Sequence, residues 1–371
     1  MENTFITKIH IGKVRHLENI DIKISDTQRR HLILTGKNGS GKTSLLEAMR
    51  DIVHDYQWAD IPNKISIIGS SIKIRFAKDI NFSELIFVYI PTVRSKLDIP
   101  TAIGKVNIVD KTKIYHNVNN EFLKYILSLD YQLYGAKSDN NAALEASLNK
   151  WFDNFLKALR NIYDCQELQL QRDAKNLAFK IEMPGREPFS LHEMSAGYTA
   201  FLNIYMELLM RMESVDSEVD YDKTAIVMID EIETHLHVEL QKRVLPFLTQ
   251  MFPNVQFIVA THSPFVMTSL ENAIVYDLEK NERLEKPSFY SYDTVVESFL
   301  DTSMYSDELQ RYFARYKKLC LKKRTSEEND EFLQAKAELE IRAIPSTELY
   351  IAFQEFEKKR KAAKNGTPEQ E

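Results

Sequence analysis

One stretch decides the fold of this chain: Gly36-Lys37-Asn38-Gly39-Ser40-Gly41-Lys42-Thr43. It follows a short apolar segment, 31–35, that we predict to be a strand, and it opens a helix predicted from Ser44 to about Tyr56. The 371 residues contain only 10 glycines, and three of them lie in this loop. The pattern G-x-x-x-x-G-K-[ST] between a strand and a helix is typical of a phosphate-binding loop.

The chemistry of such a loop assigns a role to each part of it. Backbone N–H groups of the loop and of the helix N-terminus surround phosphate oxygens. The Lys42 ammonium then neutralises the β and γ oxygens, and the Thr43 hydroxyl binds magnesium. We expect these residues to contact the nucleotide: Gly36, Asn38, Gly39, Ser40, Gly41, Lys42, Thr43 and Ser44. The sequence therefore predicts ATP and Mg²⁺ as ligands; the alternative is a chance glycine-rich turn with a surface lysine.

Two carboxylates follow a continuous apolar run, 225–229, at Asp230 and Glu231. Such a run is typical of a strand in a parallel sheet that is covered on both faces. We predict that Asp230 binds magnesium together with Thr43 and that Glu231 orients and deprotonates the attacking water. The alternative is two ordinary solvated acids at the end of a strand.

Two further segments contribute candidate residues. His262 follows the apolar strand predicted at 255–260, and we expect it to donate a hydrogen bond to the γ-phosphate. Ser195 and Gly197 lie in Met194-Ser195-Ala196-Gly197-Tyr198, a turn of small residues before a buried helix predicted at 200–212. A turn of this kind is a common anion-binding shape.

Composition excludes several classes of protein. The net charge is −6, from 48 Lys and Arg against 54 Asp and Glu, which excludes a globally basic nucleic-acid coat protein. No run approaches the ~20 apolar residues that a membrane helix needs, so we expect that the chain is not an integral transporter subunit, although it could dock on one, and we expect no membrane among its partners. The two cysteines, Cys165 and Cys320, are too few for a disulfide framework or a cysteine zinc site. They agree with a cytoplasmic location.

The order of these motifs resembles that of the ABC-type ATPases. A Walker A loop comes first, followed by a Ser-x-Gly signature, an apolar-Asp-Glu segment and a Thr-His-Ser segment. The stretches 230–237 and 257–265 are similar to the ATPase core of the RecF/SMC/overcoming-lysogenization group of AAA ATPases. Within this group the chain resembles most the stand-alone ATPases of bacterial anti-phage defence modules of the Septu, retron-associated and PARIS types.

The resemblance implies a fold and a division of the chain. The fold is α/β, a P-loop NTPase of ABC-ATPase type, in which a mixed or parallel sheet carries a β-lobe, a helical insertion and a helical C-terminal segment. The expected divisions are residues 1–114 (first half of the core, with the β-lobe), 115–183 (insertion), 184–290 (second half of the core) and 291–371 (charged helical segment). We expect disorder after about Lys361.

The family also implies an assembly, a head-to-tail homodimer with two ATP molecules between its subunits. Ser195 and Gly197 would then contact the γ-phosphate held by the other subunit, and residues 234–237 would cross the interface. The segment 89–95 resembles the one that replaces the glutamine loop of transporters, and it contains Arg94 but no glutamine. Arg15 lies where the family often contacts the nucleotide.

The C-terminal segment lacks an apolar strand followed by Asp-x-Asp, which argues against nuclease chemistry in this chain. The main hypothesis is therefore an ATP-hydrolysing regulator of a partner effector, a nuclease or a toxin, in a defence system. One alternative is a RecF-like ATPase that clamps DNA. Another is an ATP-bound scaffold with little turnover. The basic clusters 317–318, 322–324 and 358–361 leave contact with nucleic acid open, but solvated helix faces balanced by Glu327, Glu328 and Glu357 explain them at least as well.

Overall fold

The computed structural model describes residues 4–58, 64–69, 71–80, 85–92, 122–173, 178–212, 221–300, 305–342 and 348–365. The chain forms two compact units, Met1–Val295 and Val296–Glu371. Strands in the described residues are β1 (Ile6–Val14), β2 (Leu17–Lys23), β3 (His31–Thr35), β4 (Lys64–Ile68), β5 (Ile72–Ile80), β6 (Ile86–Ile90), β7 (Gln169–Asp173), β8 (Ala178–Glu182), β9 (Phe189–Ser190), β10 (Ala225–Ile229), β11 (Val255–Ala260), β12 (Ala273–Asp277) and β13 (Glu282–Glu285). Helices are α1 (Lys42–Trp58), α2 (Phe122–Ser138), α3 (Ala142–Tyr163), α4 (Ala196–Met212), α5 (Val238–Met251), α6 (Pro264–Met267), α7 (Tyr292–Thr294), α8 (Asp307–Cys320), α9 (Ser326–Arg342) and α10 (Glu348–Asn365).

A six-stranded sheet in the order β13-β12-β3-β11-β10-β6 forms the centre of the first unit. The five strands from β12 to β6 run parallel to one another, and the edge strand β13 is antiparallel to β12. Every residue of β3, β10, β11 and β12 is buried, as expected for a parallel sheet covered on both faces. This confirms the predicted α/β P-loop fold.

The β-lobe is an antiparallel sheet in the order β2-β1-β5-β4. One face of the lobe packs on the core, since buried and exposed residues largely alternate along β2 and β5. Gln256 of β11 joins the lobe to the central sheet. Its buried side-chain amide accepts a hydrogen bond from the Ile6 N–H at 2.7 Å and donates to the carbonyls of Ile6 at 3.0 Å and Arg30 at 2.8 Å.

The helical insertion consists of α2 and α3, which pack on each other through aromatic side chains. Trp151 stacks on Phe155 with ring centroids 5.4 Å apart, and Phe155 lies 5.5 Å from Phe122. The second unit is built from α8, α9 and α10. There the buried Tyr316 stacks on Phe332 at 5.3 Å and meets Phe353 edge-on at 4.9 Å.

Two sequence predictions differ from the structure. Helix α4 begins at Ala196 rather than at Ala200. The disorder expected after Lys361 is wrong as far as Asn365, because α10 continues to that residue; residues 366–371 lie outside the described ranges.

Candidate nucleotide site

The candidate site lies where four parallel strands end at the same edge of the central sheet. The glycine loop 36–43 follows β3, His262 follows β11, Asp230 follows β10 and Thr92 follows β6. In open α/β sheets, ligands bind outside the carboxyl ends of the strands. Strand β11 lies between β3 and β10, which places His262 between the loop and the two carboxylates.

The glycine loop has the backbone shape that a phosphate cradle requires. Gly36, Gly39 and Gly41 have φ angles of +127°, +86° and +98°. At Gly41 the positive φ would strain any other residue, and a β-carbon there would lie 2.8 Å from Leu17 Cδ1, so the Leu17 side chain would have to move. Among the other predicted contact residues, Asn38 is exposed and Ser40 is buried. Ser44, in the first turn of α1, is also buried.

The Lys42 side chain folds onto the loop. Its Nζ donates to the Gly36 carbonyl at 2.7 Å and to the Lys37 carbonyl at 3.2 Å, and the residue is 5% exposed. Burial lowers the pKa of Lys42. Four carboxylates act in the opposite direction on that pKa: Glu231, Glu233, Asp230 and Asp277. A cation is thus held within the loop and surrounded by the acids of the neighbouring strands.

Two threonine hydroxyls meet one carboxylate oxygen. Thr43 Oγ1 donates to Asp230 Oδ2 at 2.9 Å, and Thr92 Oγ1 donates to the same oxygen at 2.9 Å. Hydroxyl and carboxylate oxygens are the ligands that Mg²⁺ prefers, and Mg²⁺ is usually held by one or two protein oxygens together with substrate phosphates. Within the described ranges, no group of three or more His, Cys, Asp and Glu side chains could form an all-protein metal cage. The residues therefore fit a Mg²⁺ ion that is shared with a nucleotide.

Glu231 stands at a sharp turn after β10. Its φ of +43° lies in the left-handed region, which is unusual for a residue other than glycine and is a kind of strain that collects at functional sites. The Thr234 hydroxyl donates to Glu231 Oε2 at 3.4 Å. The next residue, Ile232, donates its N–H to the Ala260 carbonyl at 3.3 Å, so this turn directs the chain from β10 towards the end of β11.

His262 is held through its backbone by the carboxylate of Glu233. Glu233 Oε1 accepts from the His262 N–H at 2.6 Å, and Glu233 Oε2 accepts from Thr261 Oγ1 at 2.7 Å. Burial, and then the nearby Lys42 charge, lower the pKa of His262, whereas Glu233 and Glu231 oppose this shift. The lowered pKa favours a neutral imidazole, which can still donate one hydrogen bond.

The signature residues lie at the start of α4. Ser195 is exposed, and its carbonyl accepts from the Thr199 N–H at 2.9 Å. Gly197 is buried, and a β-carbon there would lie 2.9 Å from the His235 carbonyl oxygen. Gly197 is therefore needed for close packing against the segment 234–237 of its own chain, a role that the motif alone did not indicate.

Thr92 and Glu233 are the two functional candidates that sequence reasoning missed. Thr92 lies in the segment that was compared with the glutamine loop, and Glu233 lies two residues beyond the predicted base. Proximity in sequence to predicted motifs was the only signal for either. Arg15, in the turn between β1 and β2, is exposed and lies 3.9 Å from Glu47; Arg94 lies outside the described residues.

The model of a protein family described as "AAA domain, putative AbiEii toxin, Type IV TA system" matches residues 32–170 and 163–268. The chain is 28% identical over 187 residues to "Retron Ec83 probable ATPase" of Escherichia coli, covering 48% of this chain and 33% of the relative. It is 25% identical over 309 residues to "Septu protein PtuA" of Bacillus mycoides, covering 76% of this chain and 41% of the relative. The chain thus spans less than half the length of these curated relatives.

A solved SMC head, bound to the C-winged helix domain of ScpA, is also similar, with a TM-score of 0.43 and 14% identity over 77% of this chain and 100% of that one. The predicted likeness to Septu and retron-associated ATPases is confirmed; the likeness to the PARIS type stays a prediction. In the described residues, no helix is both long enough and apolar enough to cross a membrane.

Proposed function

Because the chain belongs to the AAA domain family whose model matches residues 32–170 and 163–268, we propose that it binds Mg²⁺-ATP at the glycine loop and hydrolyses it. The observation that supports this most strongly is the meeting of Thr43 and Asp230 at 2.9 Å. A loop that binds phosphates and a carboxylate that binds metal must lie side by side to share one nucleotide-bound ion.

Each side chain at the strand ends has a distinct task in this proposal. Lys42 compensates the negative charge of the β and γ phosphates, and Thr43 and Asp230 would hold the magnesium ion. When bound, the ion neutralises charge that develops on the phosphate oxygens. Glu231 accepts the proton of the attacking water. His262, as a neutral imidazole, donates a hydrogen bond to the γ-phosphate.

The hydrolysis reaction is tested with Glu231→Gln, which keeps the shape of the side chain and removes the proton acceptor. The wild-type protein should release phosphate from ATP only with Mg²⁺, and the variant should lose roughly 10²–10⁴-fold in rate while it still binds ATP. A loss of less than a few-fold would show that another residue is the base. A wild-type protein that binds ATP but shows negligible turnover would instead favour the scaffold.

We further propose that turnover needs two copies of the chain in a head-to-tail arrangement. Ser195 is exposed at the N-terminus of α4, where the helix dipole favours an anion. His235 and His237, in the segment expected to cross the interface, are exposed as well. These positions support a site in which Ser195 of one copy reaches the γ-phosphate bound by the other.

For the cellular role, we propose that ATP binding and hydrolysis control a partner effector, a nuclease or a toxin, in an anti-phage defence module. The support is the likeness to a Septu protein and a retron ATPase. Expression of the chain with the protein encoded beside it should protect bacteria from phage, and Glu231→Gln should remove that protection. Equal phage plating on cells with and without the wild-type pair would contradict this role.

A further inference from the structure

Glu233 connects the turn after β10 with the end of β11. Both of its carboxylate oxygens are engaged, Oε1 by the backbone N–H of His262 and Oε2 by the hydroxyl of Thr261, at 2.6 and 2.7 Å. Hydrogen bonds from an N–H or O–H group to a carboxylate are shorter and stronger than those between neutral groups. A half-buried carboxylate that meets two donors on consecutive residues therefore fixes the backbone at His262.

The anchor extends to the strand that carries the glycine loop. The Thr261 N–H donates to the Leu34 carbonyl of β3 at 3.0 Å, and Thr261 Oγ1 accepts from the Ser263 N–H at 3.0 Å. Ser263, which follows His262 in the chain, donates its Oγ hydroxyl to Gln241 Oε1 of α5 at 2.6 Å. His262 is thus flanked on both sides by residues with fixed partners, and Glu233 is the charged member of this network.

We propose that Glu233 is a positioning residue that fixes His262 for its contact with the γ-phosphate. The inference rests on the proposed ATPase function, since His262 acts there on the nucleotide. Glu233 touches no reacting atom, so it acts through the place of the His262 backbone. The Glu233 carboxylate also offsets the effect of the Lys42 charge on His262. Lys42 lowers the pKa of His262, whereas Glu233 and Glu231 raise it.

Two variants separate the hydrogen bonds that Glu233 accepts from the effect of its negative charge. Glu233→Ala removes both acceptors, so kcat for ATP should fall about tenfold or more, because a small misplacement of a catalytic group is costly. The KM for ATP should change less than about twofold, because Lys42 and Thr43 are untouched. Glu233→Gln keeps an oxygen that can accept from the His262 N–H, so it should recover most of kcat.

Glu239, an exposed acid on α5 that pairs with Lys242 at 3.0 Å, offers the matched variant Glu239→Ala, which should keep wild-type kcat. In a His262→Ala background, Glu233→Ala should cause little further loss of kcat, because the two residues act as one unit. Full additivity of the two losses would overturn the positioning role.

A second readout does not depend on catalysis. Amide hydrogen exchange at His262, measured without nucleotide, should be at least tenfold faster in Glu233→Ala than in the wild-type protein and in Glu239→Ala, because a protecting acceptor is lost. Unchanged exchange together with unchanged kcat would refute the proposal. A wild-type protein without turnover would refute the ATPase function instead, and the exchange rates would still decide whether Glu233 holds His262.

Discussion

The Thr43 hydroxyl lies 2.9 Å from Oδ2 of Asp230, although 187 positions separate the two residues in the chain. The contact exists because β10 and β3 point the same way in one sheet, with β11 between them, so their carboxyl ends meet at one edge. Thr92 donates to the same oxygen from the end of β6. The glycine loop and the ends of β10 and β6 therefore meet at this one carboxylate oxygen.

The first prediction concerns Thr92. Thr92→Val keeps the shape of the side chain and removes the hydroxyl that orients Asp230, so the Mg²⁺ concentration needed for half-maximal ATP binding should rise. The loss of one hydrogen bond of about 1 kcal/mol corresponds to about a fivefold rise. Thr92→Ser should behave like the wild-type protein. A calorimetric titration in which Thr92→Val keeps the wild-type Mg²⁺ dependence would remove Thr92 from the site.

The second prediction separates the two lysines of the loop. Lys42→Ala should abolish detectable ATP binding, because the backbone cradle alone leaves the phosphate charge uncompensated. Lys37→Ala is the matched control, since Lys37 is exposed and its Nζ pairs with Glu279 at 3.1 Å; it should bind ATP within about threefold of the wild-type affinity, since an exposed ion pair contributes little. Calorimetry that finds wild-type affinity in Lys42→Ala would reject the phosphate-loop assignment.

The third prediction concerns stability and pH at His31. His31 is 7% exposed, and its Nδ1 accepts from the Phe257 N–H at 3.1 Å. Burial, with a smaller contribution from Arg29, lowers the pKa of His31 to about 4 from the ordinary 6.5. Between these two values the unfolded chain binds a proton that the folded chain does not, so the free energy of unfolding should decrease as pH falls.

Since one pKa unit corresponds to 1.36 kcal/mol, the loss of stability attributable to His31 is about 3 kcal/mol between pH 6.5 and 4. Urea denaturation at several pH values should show that His31→Asn, although less stable at neutral pH, loses less stability on acidification than the wild-type protein. His192→Asn, at an exposed position, should keep the wild-type pH dependence. Parallel profiles for the wild-type protein and His31→Asn would contradict the prediction.

Much of the site could be predicted from local sequence. The glycine loop, the Asp230–Glu231 pair and His262 each lie within two residues of the end of a mostly apolar strand, so the strand that carries each group could be inferred. The full burial of the parallel strands β3, β10 and β11 confirms the predicted strands. Local pattern sufficed here because each functional group directly follows the strand that positions it.

The contacts made by Thr92, Glu233 and Gly197 could not be predicted, because each depends on which elements become neighbours. Thr92 reaches Asp230 only because β6 pairs with β10, and Glu233 reaches His262 only because β11 lies next to β10. The small-residue turn at Gly197 suggested an anion contact, whereas its close approach to the His235 carbonyl is a packing requirement. Strand order and inter-element packing are tertiary properties that no motif encodes locally.

The packing of Gly197 also determines how the two-copy model should be tested. A substitution at Gly197 would disturb its own chain, whereas Ser195 is exposed, so a larger side chain there should leave the fold intact. Ser195→Arg should leave ATP binding intact and abolish turnover, because the bulky side chain would block approach of the second copy. Wild-type turnover in Ser195→Arg would exclude a contribution of the signature to the site.

The proposed joining of two copies of this chain by ATP should be visible in the mass of the Glu231→Gln protein. This variant should bind ATP without consuming it, so any assembly that needs ATP should accumulate. Light scattering should show one chain per particle without nucleotide and two chains per particle at saturating Mg²⁺-ATP. The double variant Glu231→Gln with Ser195→Arg should stay at one chain per particle under both conditions. A Glu231→Gln protein that stays a single chain at saturating Mg²⁺-ATP would contradict ATP-dependent assembly of two copies.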